Sequence, residues 1–256
     1  MPRWPVAALL LAALMTAPVA TESRADEPAD LELVLLADAS RSIDDAEIRF
    51  QREGYVAAIT HPDVLAAIAN GFLQRIAVTY VEWGDETWQD VVVPWSLIDG
   101  KASAGDFAAK LLAAPRRATG PNSIGSALAA AQALIEGNAI EGTRRVIDFS
   151  GDSAYTQGGL PVPEARASVL AAGITVNGLA ILCRQADCSG RPVGYDLESS
   201  FARLIVGGPG HFVVTADDRR SFAEAVQRKL LLEIAGMPGA VEAAERSDVP
   251  RRLYPQ

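Results

Sequence analysis

The strongest constraint on this chain is a short apolar run that ends in a carboxylate, a pattern that occurs twice. Glu32-Leu33-Val34-Leu35-Leu36-Ala37 runs into Asp38, and Arg145-Val146-Ile147-Asp148-Phe149-Ser150 runs into Gly151-Asp152-Ser153. Apolar runs this short, without polar alternation, suit strands buried on both faces, as in a parallel sheet covered by helices. In both cases polar chemistry begins where the strand ends.

The intervening segments supply the helices. Ser42, followed three residues later by Asp45, reads as a capping-box-like start, and Ile48, Tyr55, Val56 and Ile59 then recur at helical spacing. His61-Pro62-Asp63 breaks that helix and starts a short second one through Ile68. Arg75 to Trp83 reads as a strand, Gly84-Asp85-Glu86 as a turn, and Gln89 to Val93 as a second strand closed by Pro94. Strands joined this tightly must be antiparallel. Helices follow at about Ser103 to Ala113 and Ser123 to Ile135. After the Arg145 strand come a helix from Pro163 to Ala172, a strand from Ile174 to Ile181, and a helix from Ser199 to Val206. A strand at His211 to Val214 and an amphipathic helix from Asp217 to Ala235 complete the pattern. The alternation predicts an α/β fold: a doubly wound, mostly parallel sheet with one antiparallel edge strand and helices on both faces. One domain spans 26–236, and the charged, proline-bearing stretch at 237–256 reads as a loose tail.

The first residues stand apart. Arg3, an apolar run from Val6 to Met15 and the small-x-small site Ser23-Arg24-Ala25 read as a signal peptide at 1–25, with Ala17-Pro18-Val19-Ala20 as a poorer cleavage site. The run is short for a membrane span, although an uncleaved anchor is an alternative, and no later segment is long and apolar enough. The expected location is periplasmic or secreted. A net charge of −9 argues against nucleic acid, which binds through clustered Lys and Arg. Cys183 and Cys188 lie in a polar loop of an exported chain and read as a local disulfide. Zinc is disfavoured there because the only histidines, His61 and His211, are remote in sequence.

Ligands of open α/β sheets bind outside the carboxyl ends of the strands, where connections diverge. Three loops qualify: one with Asp38, Ser40 and Ser42, one with Thr119, Asn122 and Ser123, and one with Asp152 and Ser153. Alternate spacing lets a tight turn aim the oxygens of Asp38, Ser40 and Ser42 at one point. All are hard ligands, suited to Mg²⁺, or to Mn²⁺ or Ca²⁺. Two hydroxyls leave such a cation electrophilic, able to accept a carboxylate from a partner.

Asp38-x-Ser40-x-Ser42 after an apolar first strand resembles the metal-ion-dependent adhesion site of von Willebrand factor A domains. The resemblance covers about Leu31 to Gly236 and implies metal-dependent protein binding. It also implies an aspartate after a later strand, matched by Asp152, and a threonine before a helix, a place held here by Asn122. Asn122 through its carbonyl oxygen, Ser123 or Thr119 are the alternatives for that ligand. Arg144-Arg145-Val146-Ile147-Asp148-Phe149-Ser150-Gly151-Asp152 and Gly207-Gly208-Pro209-Gly210-His211-Phe212-Val213 further resemble a bacterial exported family of uncharacterised function.

The leading expectation is an exported, non-enzymatic adhesion-type module whose metal captures an acidic group of a protein partner. The alternatives are a metal-dependent hydrolase of phosphate or ester substrates, or a structural domain with an empty metal site. Haloacid dehalogenase chemistry needs a second Asp where Ser40 stands, and no Gly-x-Ser-x-Gly elbow or dinucleotide fingerprint occurs. Gly207-Gly208-Pro209-Gly210 lacks the Lys of a phosphate loop and reads as a turn. Asp148, inside an apolar strand, is expected to have a structural partner, with Arg144 or Arg145 the candidates. Arg116 and Arg117 read as solvated arginines or as steering charges beside the site. Trp83, Trp88 and Trp95 read as packing around the hairpin.

Overall fold

The computed structural model describes residues 1, 27–182, 193–217 and 219–236. The expected leader beyond Met1, the Cys183/Cys188 pair and the tail at 237–256 lie outside the described residues. Among those described, no helix is long and apolar enough to cross a membrane.

The first apolar run forms β2 (Glu32–Asp38), preceded by a short β1 (Glu27–Ala29). Helices α1 (Asp45–Ile59) and α2 (Pro62–Ala69) lead to β3 (Ile76–Trp83), which turns back into β4 (Asp90–Ile98). Then come α3 (Lys101–Ala113), α4 (Ile124–Glu136), a short β5 (Ile140–Gly142), and β6 (Arg145–Gly151). The chain continues through α5 (Val162–Ala171), β7 (Thr175–Ile181), α6 (Leu197–Leu204), β8 (Val213–Ala216) and α7 (Arg219–Ala235). Six strands form one sheet in the order β4-β3-β2-β6-β7-β8. Only the β3/β4 pair within it is antiparallel, and β1 pairs separately with β5. The doubly wound, mostly parallel architecture with an antiparallel edge strand is thus observed.

Alternation along β2 divides the core. Leu33, Leu35 and Ala37 face a layer with Tyr55 and Ile59 of α1, Phe107 of α3, and Phe222 and Leu230 of α7. Val34 and Leu36 face the opposite layer with Ile124 and Leu128 of α4, Val169 of α5 and Phe201 of α6. Both faces of the strand are therefore dry, which is why it reads as an unbroken apolar run. Helices α1 and α7 approach closely at Gly54, where a Cβ would lie 2.6 Å from the Phe222 ring.

Three expectations need correction. Pro94 does not close β4. The strand continues to Ile98, and the register shift between Tyr80↔Val93 and Val78↔Ser96 sets Pro94 and Trp95 in a bulge on an edge strand, where a missing N–H costs no ladder bond. Helix α1 is not capped by Ser42. Asp44 is its N-cap, accepting from Ala46 N and Glu47 N while Glu47 returns a bond to Asp44 N, so the Ser42 hydroxyl is released from capping. Asp148 does not pair with Arg144 or Arg145. Its partner is Lys229 of α7, 2.7 Å away, and Lys229 also lies 2.6 Å from Glu233 one turn on. All three are buried, and Asn177 of β7 donates to Glu233 at 3.1 Å. The arginines are occupied elsewhere: Arg144 donates to the carbonyls of Glu233 and Ile234, and Arg145 to that of Ala172.

The tryptophans do pack around the hairpin, unequally. Trp83 is buried and stacks on Phe149, whereas Trp88 is 54% exposed.

Candidate metal centre

Connections from β2 pass to β3 on one side, and those from β6 pass to β7 on the other. The carboxyl ends of β2 and β6 therefore form the switch point of the sheet, where loops part and leave a crevice. Asp38 is the last residue of β2, and Asp152 follows the last residue of β6. The parallel register of these strands sets Gly151 beside Asp38, and a Cβ at Gly151 would stand 3.2 Å from Asp38 Oδ2. Glycine thus leaves room for the carboxylate.

Asp38 and Ser40 are buried. Ser40 N donates to Asp38 Oδ1 at 2.8 Å, the Ser40 and Ser42 hydroxyl oxygens lie 3.2 Å apart, and Ser42 Oγ donates to Asp152 Oδ1 at 3.4 Å. One continuous arc of oxygens therefore joins the β2 loop to the β6 loop. Asp38 Oδ2 is buried without a hydrogen-bond partner. Burial pushes the Asp38 carboxyl up to about 8, the Asp152 charge pushes the same way, and the hydrogen bonds from Ser40 oppose both. Burial also raises Asp152, against the hydrogen bond from Ser42. Two carboxyl groups held together away from water require a proton or a cation between them.

The second loop is fastened to the first. Arg41 N donates to Gly120 O, and Ser123 N to Gly84 O, directly after β3. Ser123 stands at the N-cap position of α4 without a side-chain capping bond, and its Oγ is buried and without a partner, an expensive state for a hydroxyl unless something outside the protein answers it. Asn122 is half-buried, and its main-chain carbonyl already accepts from Gln157 N and Thr156 Oγ1. Thr119 is exposed. The structure thus brings Asp38, Ser40, Ser42 and Asp152 into one hydrogen-bonded set. It seats Ser123 in the adjoining loop with an unanswered hydroxyl, and it gives Asn122 and Thr119 no bond to that set among the described residues.

An orphaned carboxylate oxygen, an orphaned hydroxyl and two further hydroxyls fit a hard divalent cation that takes oxygen ligands. Among the described residues no group of three or more His, Cys, Asp or Glu gathers to hold a metal ion, so the Ser40 and Ser42 hydroxyls would have to complete any ligand set here.

Sequence reasoning missed the residues that hold this arc in place. Arg116 is no solvated arginine: it donates to the carbonyls of Ala39, Ile43 and Ala118 and pairs with Asp45 at 2.8 Å. It splints the Asp38–Ser42 turn from outside. Gln51 donates to Asp38 O at 3.1 Å, and Trp83 Nε1 to Ser150 O at 3.2 Å. A readable signal existed for Gln51, a polar residue on the same helical stripe as Ile48 and Tyr55. Arg117 is exposed and lies 3.6 Å from Asp90. Tyr155 and Tyr195 meet edge to face beside the site, and Tyr195 Oη accepts from Ala154 N.

Comparison with solved structures places the fold. Proximal thread matrix protein 1 from the mussel byssus superposes with a TM-score of 0.54 at 18% identity, covering 82% of this chain and 48% of that one. A second structure of that protein, at 17% identity and the same TM-score and coverage, has a zinc-occupied MIDAS motif. The pilus adhesin SpaC from Lactobacillus rhamnosus GG gives 0.56 at 12% identity, covering 82% of this chain and 31% of that one. The vWF domain of the type V pili tip protein Mfa5 from Porphyromonas gingivalis gives 0.50 at 9% identity, covering 82% and 96%. The chain spans about half the length of the mussel protein and less than a third of the SpaC chain. The fold is of the von Willebrand factor A type, shared with adhesion and matrix proteins. No curated protein matches the sequence. A family model described as a protein of unknown function (DUF1194) matches residues 28–238.

Proposed function

The chain belongs to the DUF1194 family of proteins of unknown function, and from that premise we propose that it is an exported binding module whose divalent-cation site captures a carboxylate on a protein partner. The observation that carries this reading is the oxygen arc, with buried Asp38 Oδ2 unanswered at its centre. Asp38, Ser40, Ser42 and Asp152 would hold the ion, Mg²⁺ first with Mn²⁺ or Ca²⁺ as substitutes, and Ser123 is the preferred further oxygen over Asn122 or Thr119. When bound, the ion supplies an electrophilic position that an acidic side chain can fill, because two hydroxyls leave it under-neutralised.

The chain's own residues do the rest. Ser40 N fixes the rotamer of Asp38, Ser42 links the two loops, and Arg116 locks the turn against α1 through Asp45. An arrangement fixed before binding loses less entropy when a partner docks. Adhesion-type proteins of the same fold support a protein partner. The hydrolase alternative finds no histidine base at the arc: His61 caps α2 and accepts from Asp63 N, and His211 sits in the Gly208 turn before β8. Both stand at the opposite end of the sheet from Asp38. A periplasmic or secreted location, with residues 26–236 as the working domain, completes the proposal.

The test is calorimetric magnesium titration of wild type and Asp38→Ala, followed by partner capture from envelope extract with and without chelator. Asp38→Ala is expected to abolish magnesium binding and chelator-sensitive capture while circular dichroism stays unchanged. Capture indifferent to both the substitution and the chelator would overturn the reading.

A further inference from the structure

Between the first turns of α1 and the carboxyl end of α3 the surface sinks into a cleft of about 470 Å³, lined by three arginines, Arg49, Arg52 and Arg116, and by one carboxylate, Asp45. Two of the arginines are spent inside the protein. Arg52 is buried, pairs with Glu82 at 2.7 Å and donates to the carbonyls of Ala114 and Pro115. Arg116 holds Asp45 at 2.8 Å and donates to the carbonyls of Ala39 and Ile43. One side chain therefore both lines the cleft and braces the Asp38–Ser42 turn, so the cleft adjoins the oxygen arc.

Arg49 is left over. It lines the cleft and is exposed, and among the described residues it makes no ion pair: Asp45, one turn before it, is held by Arg116, and Glu53, one turn after it, does not reach it. Three guanidiniums thus stand against two carboxylates, Asp45 and Glu82, in a chain whose net charge is −9. A guanidinium stays charged throughout the range in which proteins fold, so no shift of a proton cancels the excess. The rest of the wall is apolar, with Ile48 and the 50% exposed Leu112. Concave, partly apolar surroundings strengthen the pull of such a charge on an anion. A carboxylate on a short aliphatic stem suits both parts: the Arg49 fork can take its two oxygens, and Leu112 can cover its methylenes.

We propose that this cleft binds an acidic side chain of a peptide, with its carboxylate on Arg49. Assigning that side chain to the same partner whose carboxylate meets the metal rests on the function proposed above; the cleft itself does not.

The full chain, labelled with ¹⁵N, is titrated in excess chelator with hexaglutamate, and with hexaglutamine as the uncharged isostere. Hexaglutamate is expected to give saturable shifts at Arg49 Nε and at the amides of Leu112 and Ala114. Arg49→Gln should weaken it roughly tenfold, the loss of a charge-assisted contact. Arg203→Gln makes the same change in net charge at an exposed arginine of α6, on the opposite layer, and should leave the affinity within about twofold. Absence of shifts in wild type, an equal response to hexaglutamine, or equal weakening by the two substitutions would overturn the proposal. Magnesium in place of chelator should tighten hexaglutamate binding, and Asp38→Ala should remove that gain while leaving the chelator titration unchanged. No gain in a wild type that binds magnesium by calorimetry would overturn the assignment of both groups to one partner and leave the metal reading standing.

Discussion

Asp38 is where a single side chain does most at the residue scale. It ends a dry strand, so its carboxyl cannot be hydrated, and the chain surrounds it with hydroxyls instead of a counter-charge. Its raised pKa, about 8, has a sign that can be tested. Below that pH the carboxyl holds a proton that a cation must displace, so magnesium affinity should rise as pH increases from 6 to 8, by up to about tenfold per unit. Above about 8 it should level off. In the metal-free protein the shift acts the other way: the native state holds this proton more tightly than an unfolded chain, whose Asp titrates near 3.8. That contribution to stability is complete below 3.8 and is lost as pH rises through about 8. Calorimetric titrations at three pH values check the first statement, and a flat affinity profile would contradict it.

At the scale of elements, two buried ionic contacts tie helices to the sheet. Arg52 of α1 reaches Glu82 of β3 at 2.7 Å and also donates to the Ala114 and Pro115 carbonyls just past α3. Lys229 of α7 reaches Asp148 of β6. Such pairs add little over apolar packing, but breaking one leaves a charge stranded in the core. Lys229→Met should therefore cost about 3–5 kcal/mol of unfolding free energy, read from urea denaturation, because Asp148 and Glu233 lose the cation between them. A cost below about 1 kcal/mol would mean that both carboxyls are already neutral.

For the whole molecule, the proposed metal centre bridges segments far apart in the chain, with Ser42 meeting Asp152 across 110 residues. A cation bound there should stabilise the native state, which alone assembles the site. Excess magnesium at about 100 times its dissociation constant should add about 2.7 kcal/mol and raise the melting temperature. Asp38→Ala should remove that increment and leave the metal-free melting temperature no lower than wild type, since the substitution relieves a buried carboxyl. An equal magnesium effect in both proteins would assign it to another site.

Much of this was legible before any coordinates. Strands buried on both faces must be apolar throughout, so β2, β6 and their terminal aspartates announced themselves, and Asp38, Ser40 and Ser42 are close enough in sequence for local spacing to group them. The sequence also determined the order of helices and strands, and hence the winding of the sheet. It could not say which charge answers which. Asp148 meets Lys229 and not its neighbours Arg144 and Arg145, because strand alternation and the packing of α7 decide what lies across the core. Nor could it show that Asp44 takes over the cap of α1 and releases Ser42, that Arg116 splints the turn, or that Ser123 keeps a buried, unanswered hydroxyl. Local periodicity is written in neighbouring residues, whereas the pairing of buried polar groups depends on contacts that exist only once the layers have closed.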